Sequence, residues 1–233
     1  MSERPILFSG PMVQAILSGA KTQTRRVVKP QPECDSSGMW RGAKHGGFFA
    51  ESVFPRCFTE MHDCPFGKPG DRLWVRETWR MGESGDWEWE EGTHAIDYRA
   101  DSRTLFQPFG DRYPHGDPDA DPSEWLPRCH EHHEDQKRWR PSIHMPRWAS
   151  RIDLLVKDVR VERLQDISEE DAIAEGAEER PAHGLMCDPK RGRLDHWQFR
   201  QGFRELWDSI NTAKHPWSSN PYVWVVEFER VRP

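Results

Sequence analysis

The chain has no run of about 18 consecutive apolar residues, so it offers no stretch with the character of a membrane-spanning helix. It also lacks an excess of positive charge. Its 33 lysines and arginines face 39 acids, for a formal net charge of -6. Binding to nucleic acid through general basicity is thereby excluded, and any such binding needs a local patch. Its five cysteines (Cys34, Cys57, Cys64, Cys129 and Cys187) are odd in number and scattered, which argues against a disulfide framework. There is no C-x-x-C pair, glycine-rich phosphate loop, H-E-x-x-H or G-x-S-x-G motif, and no internal repeat. The first residues form no apolar leader, so a cytoplasmic location is the expectation.

What is present begins with length and rings. A chain of 233 residues can bury a sizeable core. Twelve tryptophans exceed what a core of that size requires, and some could serve as stacking surfaces. The densest chemistry lies early. Residues 20–30 read Ala-Lys-Thr-Gln-Thr-Arg-Arg-Val-Val-Lys-Pro, four cations without an acid, leading into β-branched strand material. Strand alternation would put Thr22, Thr24 and Arg26 on one face and Lys21, Gln23 and Arg25 on the other. A basic strand end with hydroxyls suits a phosphate or other anionic ligand. The same residues also suit a solvated edge strand blunted by charge.

Around this stretch the elements can be outlined. Residues 5–8 read as a short buried strand. Met12, Val13, Ile16 and Leu17 form a helical stripe that Gly19 ends. Pro69-Gly70-Asp71 is a turn feeding a strand over residues 72–79. Ile152, Leu154 and Val156 alternate, then Val159 and Val161 take the other parity, which predicts a bulge near Lys157-Asp158. Ser168 followed by Asp171 is a helix start, and Gly176 ends that short helix. Asp195 could cap a longer helix with Phe199, Phe203, Leu206, Trp207 and Ile210 on one face. The apolar run from Tyr222 to Phe228 predicts a central strand. These elements predict one α+β domain over residues 1–233, a small, mostly antiparallel β-barrel with flanking helices. Long irregular insertions are expected at about 31–67 and 81–138.

Two further clusters carry chemistry. Lys137, Arg138, Arg140, Arg147 and Arg151 share an acid-free segment with Trp139 and Trp148. Phosphate-binding cations beside rings fit single-stranded nucleic acid. The alternative is tryptophans packed into the core beneath solvated arginines, and His144 in the same segment reads as structural. In the middle of the chain, Cys34, Cys57, His62, Cys64, Cys129, His130, His132 and His133 could staple an insertion around zinc. Their spacing favours ordinary thiols, so no metal and no cofactor is expected. Asp86 to Glu91, acidic with Trp87 and Trp89, reads as an edge hairpin away from any basic surface.

The segment Ile16-Leu17-Ser18-Gly19-Ala20-Lys21-Thr22-Gln23-Thr24-Arg25-Arg26 resembles the signature of the ASCH domain, a member of the PUA-like group of small β-barrels associated with RNA. Lys68 to Glu77, Val159 to Gly176 and Val223 to Phe228 are similar to further parts of that family, in the same order. Trp139 to Arg151 resembles a segment of its larger phage and prophage members. The resemblance covers roughly residues 4–30, 68–80, 150–176 and 196–231.

It implies a PUA-like barrel that binds RNA or a modified nucleoside. Some small bacterial members are amidohydrolases that deacylate N4-acetylcytidine through a lysine, a threonine three residues later and a glutamate on a short helix. Carried over, these are Lys21, Thr24 and Glu175, with Arg25, Arg26, Arg76, Arg147 and Trp148 as substrate or nucleic-acid contacts. For the scheme to work, Lys21 should precede the strand rather than share its alternation. Two departures stand out: this chain is much longer, and Gln23 and Arg25 occupy positions that are apolar in the family pattern. A non-catalytic reader of RNA or a modified base, and a nuclease acting on single-stranded RNA, are the rival readings.

Overall fold

The computed structural model describes residues 2–34, 39–41, 48–50, 64–81, 93–108, 138–181, 197–211 and 213–231. The chain is α+β. Its strands are β1 (Glu3–Leu7), β2 (Gln23–Val27), β3 (Glu33–Cys34), β4 (Met39–Arg41), β5 (Phe48–Ala50), β6 (Arg72–Arg76) and β7 (Trp79–Met81). They continue with β8 (Thr93–Tyr98), β9 (Arg103–Pro108), β10 (Asp153–Arg163), β11 (Arg180–Pro181), β12 (Trp197–Gln198) and β13 (Tyr222–Val231). Three α-helices are described: α1 (Gly10–Ser18), α2 (Glu169–Ala174) and α3 (Phe199–Asn211).

The residues fall into two compact units. One comprises residues 1–2, 15–72 and 155–230, and the other 3–14, 73–154 and 231–233.

In the first unit β13 lies between β10 and β2. It runs antiparallel to β2, with Val225 opposite Arg25 and Glu227 opposite Gln23. Tyr222 to Val226 are buried consecutively, as expected of a strand covered on both faces. One face, Val223 and Val225, packs with Leu164, Ile167, Ala172, Phe203 and Trp207. Burial along β10 changes parity across the exposed Lys157 and Asp158, as the alternation of its apolar residues predicts. Helix α2 starts where Ser168 accepts the Asp171 N–H at 3.0 Å. The first amides of α3 are satisfied by Glu169, whose carboxylate accepts from Phe199 at 2.8 Å and Arg200 at 3.2 Å. The Asp195 cap expected there lies outside the described residues. Ile210, expected on the buried face of α3, is 56% exposed, because the packed stripe narrows to Phe203 and Trp207.

In the second unit β1 neighbours β6, and β7, β8 and β9 form an antiparallel meander. Its core gathers Trp79, Ile96, Tyr98, Met145 and Ala149. The strand expected over residues 72–79 is two strands in different sheets. The break falls at Glu77, whose buried carboxylate takes Arg151 in a two-pronged pair at 2.8 and 2.9 Å. The stretches expected to be irregular contain strands: β3, β4 and β5 form a small antiparallel sheet, and β7 to β9 another. The acidic-aromatic hairpin expected at 86–91 lies outside the described residues. No closed barrel is formed among the described residues.

Candidate functional site: a buried charge network around Lys21

Lys21 sits between α1 and β2, before the strand alternation begins. Its backbone forms an isolated antiparallel bridge with Glu175, the residue that caps the C-terminus of α2. Its N–H donates to the Ala15 carbonyl at 3.0 Å, and the next amide, Thr22, donates to Ala174 at 2.8 Å. The chain can come this close because Gly176 follows the cap with φ +75°. A Cβ there would stand 3.2 Å from that of Ala15 and 3.3 Å from that of Lys21.

This backbone pairing aims the two side chains at each other. Lys21 Nζ donates to Glu175 Oε2 at 2.6 Å and to the Glu175 carbonyl at 2.8 Å. The side chains are 0% and 4% exposed. Burial pulls the Lys21 amine below its ordinary pKa; Glu175 opposes that shift, while Arg26 and Arg25 add to it. Arg26 is likewise drawn below its ordinary value by burial, with Glu175 opposing.

Gln23 and Arg25 continue the network along β2. Arg25 donates through Nη2 to Asp171 at 2.9 Å and to Glu162 at 3.2 Å, and through Nη1 to Gln23 and to Glu175 Oε1 at 3.4 Å. Gln23 Nε2 donates to Asp171 at 3.1 Å and to Glu227 at 3.2 Å. Arg160 closes the outer side, bonded to Glu162, Glu227 and Asp171. Asp171 is held below the usual carboxylate range: burial works against its charge, but Gln23, Arg25 and Arg160 outweigh it.

The expected residues therefore divide. Lys21, Glu175 and Arg25 belong to one bonded network, Arg26 acts on Lys21 and Glu175 through its charge, and Lys21 precedes its strand as the scheme requires. Thr24 is buried in β2 opposite Val226, and by alternation faces away from Gln23 and Arg25. Arg76, Arg147 and Trp148 belong to the other unit and are engaged there. Arg76 lies 4.7 Å over the Trp74 ring and donates to the Ile143 carbonyl. Arg147 pairs with Glu3 and Asp153, and Trp148 packs edge-on against Trp79 with ring centroids 5.7 Å apart. His144 is exposed on a single 3-10 turn.

The sequence reading missed Glu162, Asp171, Arg160 and Glu227 as members of the network. A signal existed in Arg160 and Glu162, two charges at i and i+2 on a strand whose other parity is apolar. Of the zinc candidates, Cys64 is buried, with its sulfur accepting from the Phe66 N–H at 3.4 Å. Cys57, Cys129, His62, His130, His132 and His133 lie outside the described residues, as does Cys187. Among the described residues no group of three or more His, Cys, Asp or Glu is arranged to hold a metal. No described helix is long and apolar enough to cross a membrane.

No family model matches the chain, and neither a curated protein nor a solved structure matches it.

Proposed function

We propose that this chain is an ASCH-type domain of PUA-like fold that binds an acylated cytidine, as nucleoside or within RNA, and hydrolyses its exocyclic amide. The observation that carries the reading is the buried Lys21–Glu175 pair at 2.6 Å. A lysine whose pKa is lowered by burial gives up its proton more readily than an exposed lysine and is the better base. In the proposed reaction the Thr24 hydroxyl attacks the acyl carbon and Lys21 takes its proton. The amine leaves as cytidine, carrying that proton. Water then hydrolyses the acyl-threonine ester, releasing acetate and restoring the hydroxyl. Glu175 orients the lysine. The neighbouring guanidinium of Arg26 supplies positive potential for the tetrahedral oxyanion. The scheme requires the Thr24 hydroxyl to meet Lys21 when substrate is bound. The antiparallel β2–β13 pairing beside β10 supports the antiparallel part of the expected fold. The paired Arg147 and packed Trp148 lend no support to a nucleic-acid surface at that turn.

The test is release of cytidine and acetate from N4-acetylcytidine, followed by chromatography. The wild type should turn over. Lys21→Ala and Thr24→Ala should each lose about 100-fold or more, with Thr24→Ser retaining part. A wild type that binds the nucleoside but leaves it intact would replace this reading with a non-catalytic reader.

A further inference from the structure

Arg25 reads from the sequence as a contact for an anionic ligand, yet its side chain has no exposed surface. The protein itself occupies both terminal nitrogens of its guanidinium, Asp171 and Glu162 on Nη2, Gln23 and Glu175 on Nη1, with the Phe203 ring centre 5.9 Å from its carbon. A ligand could reach it only by displacing those groups.

The two oxygens of Glu175 are consequently divided. Oε2 meets Lys21 at 2.6 Å, and Oε1 meets Arg25 at 3.4 Å. A carboxylate held by one oxygen turns easily about its last torsion, whereas one held by both is fixed. We propose that Arg25 is a positioning residue for Lys21: by holding Glu175 Oε1 it fixes Oε2 on the lysine amine, and it couples that amine to the charge on Asp171.

The charged groups around this chain of contacts are Arg26 from β2, Arg160 and Glu162 from β10, Asp171 and Glu175 from α2 and its cap, and Glu227 from β13 through Gln23. Asp171 reaches Lys21 through Arg25 and Glu175. When Asp171 is ionised it takes part of the guanidinium's attraction, leaving Glu175 freer to serve the lysine. When that charge is removed, Arg25 draws harder on Glu175 and the lysine gives up its proton more easily.

The inference rests on the proposed function only for its catalytic consequence, so its test does not require turnover. The Lys21 side chain would be titrated in the full-length protein by NMR of carbon-13-labelled lysine, with Lys21→Met identifying the resonance. Asp171→Asn should lower the Lys21 midpoint by about half a pH unit or more. In an Arg25→Met background the same change should leave the midpoint almost unmoved. An equal shift in both backgrounds would mean that Asp171 acts directly through space, and no shift in either would mean no coupling; each result overturns the proposal. If Arg25→Met does not fold, Arg25→Lys takes its place. A lysine ammonium lacks the planar fork that spans Asp171 and Glu175, so the Asp171→Asn shift should fall to half or less, and an undiminished shift overturns the proposal. Where N4-acetylcytidine is hydrolysed, losing the Arg25 fork should lower kcat with little change in KM. Absent hydrolysis with intact coupling would reject the enzyme reading and leave the positioning role standing.

Discussion

At the scale of single residues, the molecule holds an ammonium ion where a hydrocarbon would ordinarily sit. Lys21 remains there because Glu175 supplies both a carboxylate and a carbonyl. Removing one partner of such a pair costs far more than the pair contributes as a unit. Glu175→Gln should therefore lower stability by about 3–5 kcal/mol in urea unfolding, and adding Lys21→Met should restore part of the loss. The pH dependence has a definite sign. The folded-state pKa of Lys21 lies below its unfolded value, so in the intervening alkaline window the unfolded chain holds a proton that the folded chain lacks. Stability from this group rises with pH across that window. The damage done by Glu175→Gln should shrink over the same range, because a neutral amine no longer needs its carboxylate.

At the scale of elements, the site depends on a helix of only six residues, Glu169–Ala174, whose cap and exit fix the position of Glu175. The exit leaves little room for a side chain. Gly176→Ala would place a left-handed backbone on a residue with a Cβ and press that Cβ against Ala15 and Lys21. We expect a loss of about 1–3 kcal/mol, measured by thermal unfolding, with the Lys21 titration displaced at the same time. Much of this element was legible beforehand. Ser168 with Asp171 marked the helix start, Gly176 its end, and the Ile16–Gly19 turn put Lys21 ahead of the strand. The partners of Gln23 and Arg25 were not legible, because a pairing between β2, β10 and α2 depends on strand order, which local alternation does not encode. The stretches at 31–67 and 81–138 hid their strands for a related reason. Strands of three residues, such as β4 and β7, are too short to establish a period.

At the scale of the whole molecule, each unit contains its own buried ionic centre. In the second unit Arg151 joins Glu77 and Asp101 and lies 4.0 Å over the Tyr98 ring. Burial raises the Glu77 pKa, and Arg151 holds that rise in check. Arg151→Met should raise it further. A carboxyl whose folded pKa lies above its unfolded one contributes stability at acid pH and loses it as pH rises. The variant should thus be nearer to wild type at about pH 4 than at pH 7 in denaturant unfolding. Hydrogen exchange should show the lost protection concentrated in residues 73–154.

The division of the chain between the units has a consequence for synthesis. The chain passes from one unit to the other after residues 2, 14, 72, 154 and 230. β2 pairs with β13, the last of the described strands. While the protein is on the ribosome, Arg25 must stay hydrated until β13 has emerged, because Glu162, Asp171, Glu175 and the β13 backbone are all made well after it. Lys21 and its partners can leave water only after β13 has been made, so ribosome-bound nascent chains stalled before Tyr222 should carry a Lys21 amine that still reacts with acylating reagents.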